Sequence, residues 1–593
     1  MAEIIGAGHL APIPDDLTIV QFMLDHQHST RPVPPSHRPW FIEDESGRKV
    51  EFDEVKFRTN ALANAFHLKW KLGEDDVVCI YSPNHVDYPI TIWAAFRLGV
   101  TITAANPSYT ADELVHTLTT TKAKLLVVHP WNLSVALEAA KIAKLPADRI
   151  VLLEPLPEKE KAAGARFTTV PQLIAEGAKA KKAFTERKLK KGEGKTKLAF
   201  LSFSSGTTGL PKAVKIPHYS LIANVVQIAS YSQADTRPTE QRKIKSGDIA
   251  IAVLPFYRTH RYQHILLHNT DASLDIYGIV VIMHFQTYYG ISVVVTPKFD
   301  FLQFLNSIQR HRINFLPVVP PMIVALCKHP AVKKFDLSSM RFIASGAAPL
   351  SAELTNQLAK LFPKVQIGQG YGMTETSTAI SFPQLEQHVC TPGSAGRLLP
   401  GVVVKVVRPD GTLAPRGETG ELVVKSPSNA IGYLNNDKAT KETFKDGWVS
   451  TGDEVYVNDV NELFVVDRIK DLIKVRGFQV APPELEGHIL ELKDVSDVSV
   501  VGKPDEYSGE VPYAFVVPSA DALERIKKDP AEGEKIKAAI VKSQHVADNK
   551  VNFKRLTGGV EFIDVIPRNP SGKLLRRVLR DRLRAQLAVQ AKL

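Results

Sequence analysis

The residues best suited to chemistry form one short run, Leu201-Ser202-Phe203-Ser204-Ser205-Gly206-Thr207-Thr208-Gly209-Leu210-Pro211-Lys212. Small residues and the glycines Gly206 and Gly209 let successive backbone N–H groups turn toward an anion, and the hydroxyls of Ser204, Ser205, Thr207 and Thr208 add donors. Lys212 can supply a point charge to the β- and γ-phosphates of a nucleotide. The G-x-x-x-x-G-K-[ST] spacing of a Walker A loop is absent. Apolar, strand-like residues flank the run closely, which a flexible Ser/Gly linker would lack.

A loop of this kind needs rigid strands on either side. Residues 75–155 alternate short apolar runs (Asp76 to Tyr81, Lys124 to Val128) with helix-like stretches such as Tyr88 to Leu98, a rhythm that predicts parallel sheets covered by helices. Residues 395–470 carry Val/Leu-rich runs punctuated by Pro409-Asp410-Gly411 and Arg416-Gly417-Glu418, which predicts a smaller antiparallel β-unit. From about 470 a helix (Pro483 to Leu492), strands (Val495 to Val501, Tyr513 to Val517), a helix near 531–545 and a basic terminal helix predict a compact α+β module. Residues 179–197 are charged and nearly free of large apolar groups, so they read as a solvated surface segment. There are no internal repeats.

At 593 residues the chain should divide into two to four units. With 44% hydrophobic and 23% charged residues it is ordinary for a soluble protein. Cys79, Cys327 and Cys390 lie far apart with no CxxC spacing, which argues against a disulfide framework or zinc site. The formal charge of +11 is spread along the chain with no nucleic-acid motif. It suits an enzyme of anionic ligands and equally a merely basic surface. The N-terminus lacks the pattern of a secretory signal, and the most apolar stretch, Ile276 to Phe285, is too short to span a bilayer. Ala591-Lys592-Leu593 is a close variant of the Ser-Lys-Leu peroxisomal address, behind a basic run from Arg576 to Arg584 that should leave it exposed.

Further motifs follow the loop in order: Ser345-Gly346-Ala347-Ala348-Pro349, Gly368-Gln369-Gly370-Tyr371-Gly372-Met373-Thr374-Glu375, Gly447-Trp448-Val449-Ser450-Thr451-Gly452-Asp453, Asp467-Arg468-Ile469-Lys470, Lys474-Val475-Arg476-Gly477-Phe478-Gln479 and Pro570-Ser571-Gly572-Lys573. Together with the loop they resemble the adenylate-forming superfamily of acyl-CoA synthetases, 4-coumarate–CoA ligases, luciferases and peptide-synthetase adenylation domains. The resemblance covers nearly the whole chain, and the phrasing is most similar to the 4-coumarate–CoA ligase-like branch. It implies an α/β fold with a large N-terminal portion (1–469) of αβ sheets plus a β-unit, and a small mobile α+β C-terminal domain (470–593).

The resemblance also implies roles. ATP, Mg²⁺ and coenzyme A would be the cofactors and a small carboxylic acid the substrate. Carboxylate and α-phosphate repel until cations screen them, and placed donors then stabilise the developing charge. Thr374 would contact the α-phosphate, Glu375 would help hold Mg²⁺, and Asp453, with Arg468 nearby, would accept the ribose hydroxyls. Gly346, Ala347, Ala348, Gln369, Gly370 and Tyr371 would wall the adenine and acyl pocket, with Tyr257, Tyr277, Gly278, Ser345 and Gly372 toward the acid. Lys573 would bridge carboxylate and phosphate during adenylation. A turn of the C-terminal domain about a hinge near Lys470 would then withdraw it. The strip around Gly477 would line a channel for the pantetheine thiol, with Arg476 and Lys298 contacting CoA and Lys474 and Gln479 steadying the adenylate.

One stretch departs from the family. Leu254-Pro255-Phe256-Tyr257 should continue directly into a histidine and Ile-Tyr-Gly, but residues 258–275 intervene before Ile276-Tyr277-Gly278. His260, His264 and His268 recur every four residues and could bind a metal on a helix. A real insertion belongs on an exposed loop tip rather than across a binding wall. The reading preferred is an unspliced intron translated in frame: Arg258 can be encoded as C-GT and Leu274-Asp275 as CTA-GAC, and excision between them restores a CAC histidine codon. The sequence thus predicts an ATP-dependent acid–CoA ligase for an aryl or medium- to long-chain acid. Its partners would be that acid and the peroxisomal import receptor, without nucleic acid or a membrane span. A luciferase-like oxygenase or a non-catalytic ATP/CoA-binding pseudo-ligase are the alternatives.

Overall fold

The computed structural model describes residues 3–33, 38–156, 167–204, 211–254, 276–469, 471–475, 478–505, 508–546, 555–568 and 574–590. Two seven-stranded sheets form the bulk of the molecule. In the first, Thr101–Ala105, Val77–Tyr81, Leu125–Val128, Ile150–Leu152 and Thr168–Thr169 run parallel. The hairpin of Leu198–Ser204 with Lys212–Pro217 closes one edge. All five residues of Val77–Tyr81 are buried, because helices cover both faces, which explains an unbroken apolar run where an exposed sheet would alternate. The second sheet, ordered Gln366–Gln369, Phe342–Ser345, Phe315–Val318, Ile249–Ala252, Ser292–Val295, Phe41–Glu43 and Lys49–Val50, is parallel except at its last pair.

The Val/Leu-rich region folds as expected into antiparallel strands, which belong to a nine-stranded sheet running from Tyr371–Met373 and Thr378–Phe382 through Ser394–Leu398, Glu462–Arg468 and Trp448–Val457 to Gly420–Lys425 and Val403–Val407. A fourth, five-stranded sheet is built from Ile473–Val475, Phe478–Val480, Val495–Asp505, Gly509–Pro518 and Gly559–Phe562, with helices Pro482–Leu490, Ala531–Val546 and Arg576–Gln590 packed around it. It has its own apolar core around Val480, Leu485, Val498 and Val516.

One feature differs from the sequence reading and another goes beyond it. Residues 180–197 are not merely solvated: Phe184, Leu189 and Lys197 are buried. Glu186 pairs with the buried Arg97, and Lys197 Nζ holds Glu74 at 2.7 Å and Asp75 at 2.8 Å. The lysines obscured these two apolar anchors. The apolar run 276–285 is a buried π-helix, Gly278–Gln286. Such winding normally occupies a single turn. The side-chain amide of Gln286 is fully buried, and neither of its polar atoms has a described partner. Among the described residues no helix is long and apolar enough to cross a membrane.

The helices Phe52–Trp70 and Val170–Lys179 cross at Gly177, where a Cβ would stand 1.9 Å from the Ala61 carbonyl oxygen. Gly177→Ala must push the two helices apart and should cost about 1–3 kcal/mol. Thermal melting of the variant is expected to show a drop of several degrees.

Candidate active site

Ligands of open parallel sheets gather beyond the carboxyl ends of the strands. In the second sheet those ends carry Ser345 and Gln369, each the last residue of its strand, followed at once by Gly346-Ala347-Ala348 and by Gly370 and Tyr371. Gln369 Oε1 accepts the Leu350 N–H at 2.6 Å, and Gly370 N–H donates to the Ser345 carbonyl at 3.0 Å, so the two turns brace each other. Ala347 takes a left-handed φ of 66°, a conformation that costs a non-glycine residue about 1–2 kcal/mol and marks sites where geometry is imposed. Tyr277 lies against Gly346: a Cβ there would meet its ring at 3.5 Å. The Ser345 hydroxyl is buried with no described partner.

The first sheet contributes the hairpin. Ser204 and Lys212 face each other in register, and the intervening loop hangs from that pair. Ser204 Oγ donates to Glu375 Oε1 at 3.0 Å. Tyr433, which the sequence reading did not single out, donates to the same oxygen at 2.9 Å, and its ring lies 5.2 Å from Lys212 Nζ. Burial and the Glu375 carboxylate push the Tyr433 phenol upward, so it stays a donor. No motif pattern marks Tyr433. It arrives because residues 431–434 pair with the hairpin's outer strand: Leu434 N–H donates to the Ala213 carbonyl at 2.8 Å and Lys215 N–H to that of Gly432, also at 2.8 Å.

The nine-stranded sheet contributes a second carboxylate. Asp453 and Arg468 are cross-strand partners, with Arg468 Nε 2.6 Å from Asp453 Oδ1. Tyr371 OH donates to Asp453 Oδ2 at 2.6 Å. Thr451, which the sequence reading placed in the Gly447 to Asp453 motif without a role, accepts the Asp453 N–H at 3.1 Å and donates to the Leu422 carbonyl at 2.8 Å. Asp453 and Glu375 are only 5% and 6% exposed, so these partners take the place of the water their oxygens have lost. Burial, with the Asp453 charge beside it, holds the Tyr371 phenol well above its ordinary range, while Asp453 raises the Arg468 guanidinium.

The structure therefore brings Ser204, Lys212 and Glu375 into one cluster, Tyr371, Asp453 and Arg468 into another, and Tyr277, Ser345 and Gly346 against a third wall. Thr374 begins a 3₁₀ turn beside Glu375, half-buried. Gly372 lies in the strand before it, with Thr378 O 1.6 Å from where a Cβ would stand, so no larger residue fits there. Gly278 opens the π-helix. Lys298 is exposed on the loop after strand Ser292–Val295. Lys474 is exposed in the small sheet, opposite Gln479 in register, and its backbone N–H donates to Glu510 at 2.9 Å. Ser205, Gly206, Thr207, Thr208, Gly209, Tyr257, residues 258–275 with their three histidines, Lys470, Arg476, Gly477, the Gln479 side chain, Lys573 and Ala591-Lys592-Leu593 lie outside the described residues.

Residues 30–434 match the model of the AMP-binding enzyme family, and residues 484–573 match that of the AMP-binding enzyme C-terminal domain. The chain belongs to the AMP-binding enzyme family. It is 34% identical to 4-coumarate–CoA ligase 1 of Arabidopsis thaliana across 92% of this chain and 90% of that one. With 4-coumarate–CoA ligase 2 of Nicotiana tabacum it shares 33% identity across 93% of each. The structure of ATP-bound MatB from Rhodopseudomonas palustris superposes with a TM-score of 0.75 at 25% identity, covering 96% of this chain and 99% of that one. The anthranilate CoA ligase AuaEII with anthranoyl-AMP shares the fold, with a TM-score of 0.78 at 22% identity over 97% and 99% of the two chains.

Tyr371→Phe removes a hydrogen bond to a charged acceptor, worth about 1.5–3 kcal/mol. If the Asp453 cluster holds nucleotide, AMP affinity measured by calorimetry should fall roughly 10- to 100-fold, by the same bond energy. Asp453→Ala, which also strands Arg468, should abolish measurable binding.

Proposed function

We propose that this chain, an ATP-dependent acid–CoA ligase of the AMP-forming type, activates an apolar acid. That acid is either an aryl acid of the cinnamate, phenylacetate or benzoate kind or a medium- to long-chain fatty acid. The observation that carries this reading is the pair of nearly dry carboxylate clusters, Glu375 with Ser204 and Tyr433, and Asp453 with Tyr371 and Arg468, joined through strand Tyr371–Met373 and the turn that follows it. Relatives bearing the 4-coumarate–CoA ligase name match it over about nine-tenths of its length.

In this reading the loop between Ser204 and Lys212 cradles the phosphates and Thr374 touches the α-phosphate. Asp453 takes the ribose hydroxyls while Tyr371 and Arg468 fix its orientation. Glu375 suits Mg²⁺: both described hydrogen bonds go to one of its oxygens, and Mg²⁺ commonly takes one or two carboxylates plus substrate phosphates. Bound there, the ion would neutralise charge on the phosphate oxygens. Lys573 brings the screening charge that lets the acid's carboxylate approach, and the acyl-AMP, steadied by Lys474 and Gln479, then meets the CoA thiol in the channel along Gly477, with Arg476 and Lys298 contacting CoA. Lys573→Ala should lower acid-dependent pyrophosphate release about 10²–10³-fold, the scale of removing one placed transition-state charge. Thioester formation from pre-made acyl-adenylate should be spared. Equal loss in both steps would refute the assignment.

The intervening segment 258–275 favours a second reading for the chain as written, a ligase with an impaired acid pocket. The helix that follows it is π-wound and buries Gln286 without a described partner, next to the Tyr277–Gly346 wall. Retained-intron translation accounts for this. Replacing residues 258–275 by a single histidine is expected to raise turnover across a panel of acids with ATP and CoA at least tenfold. Transcripts that uniformly keep the segment would refute the intron. Light emission with O₂ would instead mark the oxygenase alternative, and pyrophosphate release from neither form would mark a pseudo-ligase. Ala591-Lys592-Leu593 supports a peroxisomal location, which a fluorescent fusion with and without the tripeptide tests.

A further inference from the structure

Outside the site, one buried charge cluster joins the large sheets to the C-terminal module. Arg576, at the start of the terminal helix, points Nη1 at both oxygens of Asp467, 3.2 and 3.1 Å away. Its Nη2 meets Glu486 at 3.0 and 2.8 Å, and its Nε reaches Glu486 Oε1 at 3.3 Å. The three side chains are 7%, 8% and 8% exposed. Their origins differ. Asp467 lies on strand Glu462–Arg468 of the nine-stranded sheet, whereas Glu486, on helix Pro482–Leu490, packs within the module and accepts the Val500 N–H at 2.8 Å. One turn along the terminal helix, Arg580 holds Asp471 at 2.8 Å.

The two carboxylates therefore do different work. Glu486 binds Arg576 inside one body, while Asp467 binds it across bodies. Asp467 is also the residue before Arg468, whose guanidinium pairs with Asp453 in the nucleotide cluster. Arg576 follows Lys573 by three positions in the chain, a reach of at most about 11 Å. We propose that Arg576 is a positioning residue for the adenylation half-reaction: seated on Asp467, it fixes the terminal helix where Lys573 can reach the nucleotide, and it must leave that seat before CoA can react.

This rests on the ligase reading, in which the module takes two arrangements. Leaving the seat strips a buried carboxylate of its cation, a strongly unfavourable event unless the carboxylate is neutralised or rehydrated. Asp467 suits such an exchange. Burial pushes its carboxyl up to about 6 even with Arg576 beside it, and Asp471 and Glu486 add negative charge from the same surroundings. Lys328 makes a lighter contact across the same boundary, donating to the carbonyls of Leu490 at 3.1 Å and Val495 at 2.9 Å.

The test uses the full chain and the form with 258–275 replaced by histidine, with cinnamate and octanoate as acids. Pyrophosphate release is measured beside thioester formation from synthetic cinnamoyl- and octanoyl-adenylate. Asp467→Asn is expected to lower the first about tenfold or more while the second holds or rises, and Arg576→Lys to shift the ratio the same way by less. Glu486→Gln touches the same guanidinium from within the module, so it should lower the melting temperature and leave the ratio alone. Parallel loss in both half-reactions of Asp467→Asn, no change in either, or an equal ratio shift from Glu486→Gln overturns the proposal. If neither parent form releases pyrophosphate with any acid, the ligase reading fails and the proposal falls with it.

Discussion

A carboxylate taken out of water has to be repaid in charge and hydrogen bonds, and in and beside the candidate site this molecule does so three times. Glu375 receives two hydroxyls, Asp453 a guanidinium and a phenol, Asp467 a guanidinium from another body. Glu375 recruits the hairpin of the first sheet and Asp467 the terminal helix, while Asp453 is compensated within the nine-stranded sheet, by Arg468 on the next strand and by Tyr371 on the strand at its end. The hairpin of the first sheet is tied through Ser204 to Glu375, in the turn between Tyr371–Met373 and Thr378–Phe382, and Tyr371 ties that end of the nine-stranded sheet to its interior at Asp453. The first sheet, the nine-stranded sheet and the C-terminal module thus meet where buried acids find partners.

Most of the candidate site was legible because its residues sit in contiguous motifs. The loop 201–212, the Gly368 to Glu375 run and the Gly447 to Asp453 run each combine glycine, which permits close backbone approach, with a polar group at a fixed offset. The alternation of apolar runs in 75–155 likewise announced the parallel strands, since buried strands cannot alternate polarity. The partners were harder. Tyr433 acts through tertiary pairing, and nothing in its own neighbourhood distinguishes it from a loop residue, while Thr451 stands inside the Gly447 to Asp453 run with no sign of its bracing role. Arg576 is hidden among Arg577, Arg580, Arg582 and Arg584 in a run that looks uniformly solvated, and only burial separates it from them.

The same limit explains the misread lysine-rich segment. Local charge density is a statement about average solvation, and two large apolar residues among the nineteen of 179–197 are enough to reverse it when they pack inward. Phe184 and Leu189 do so, with Asn64 accepting the Ala183 N–H at 2.8 Å and donating to the Gly177 carbonyl at 3.0 Å.

That tethering has a consequence for how the protein meets a protease. Trypsin needs several residues of extended, detached chain on each side of a lysine, and here the backbone is held by Asn64, by Gln21 at the Arg187 carbonyl and by Asp15 at the Gly194 N–H. Cleavage at this run therefore reports on opening of the first sheet's helical cover, so the most basic stretch of the chain serves as a natural gauge of that layer's integrity.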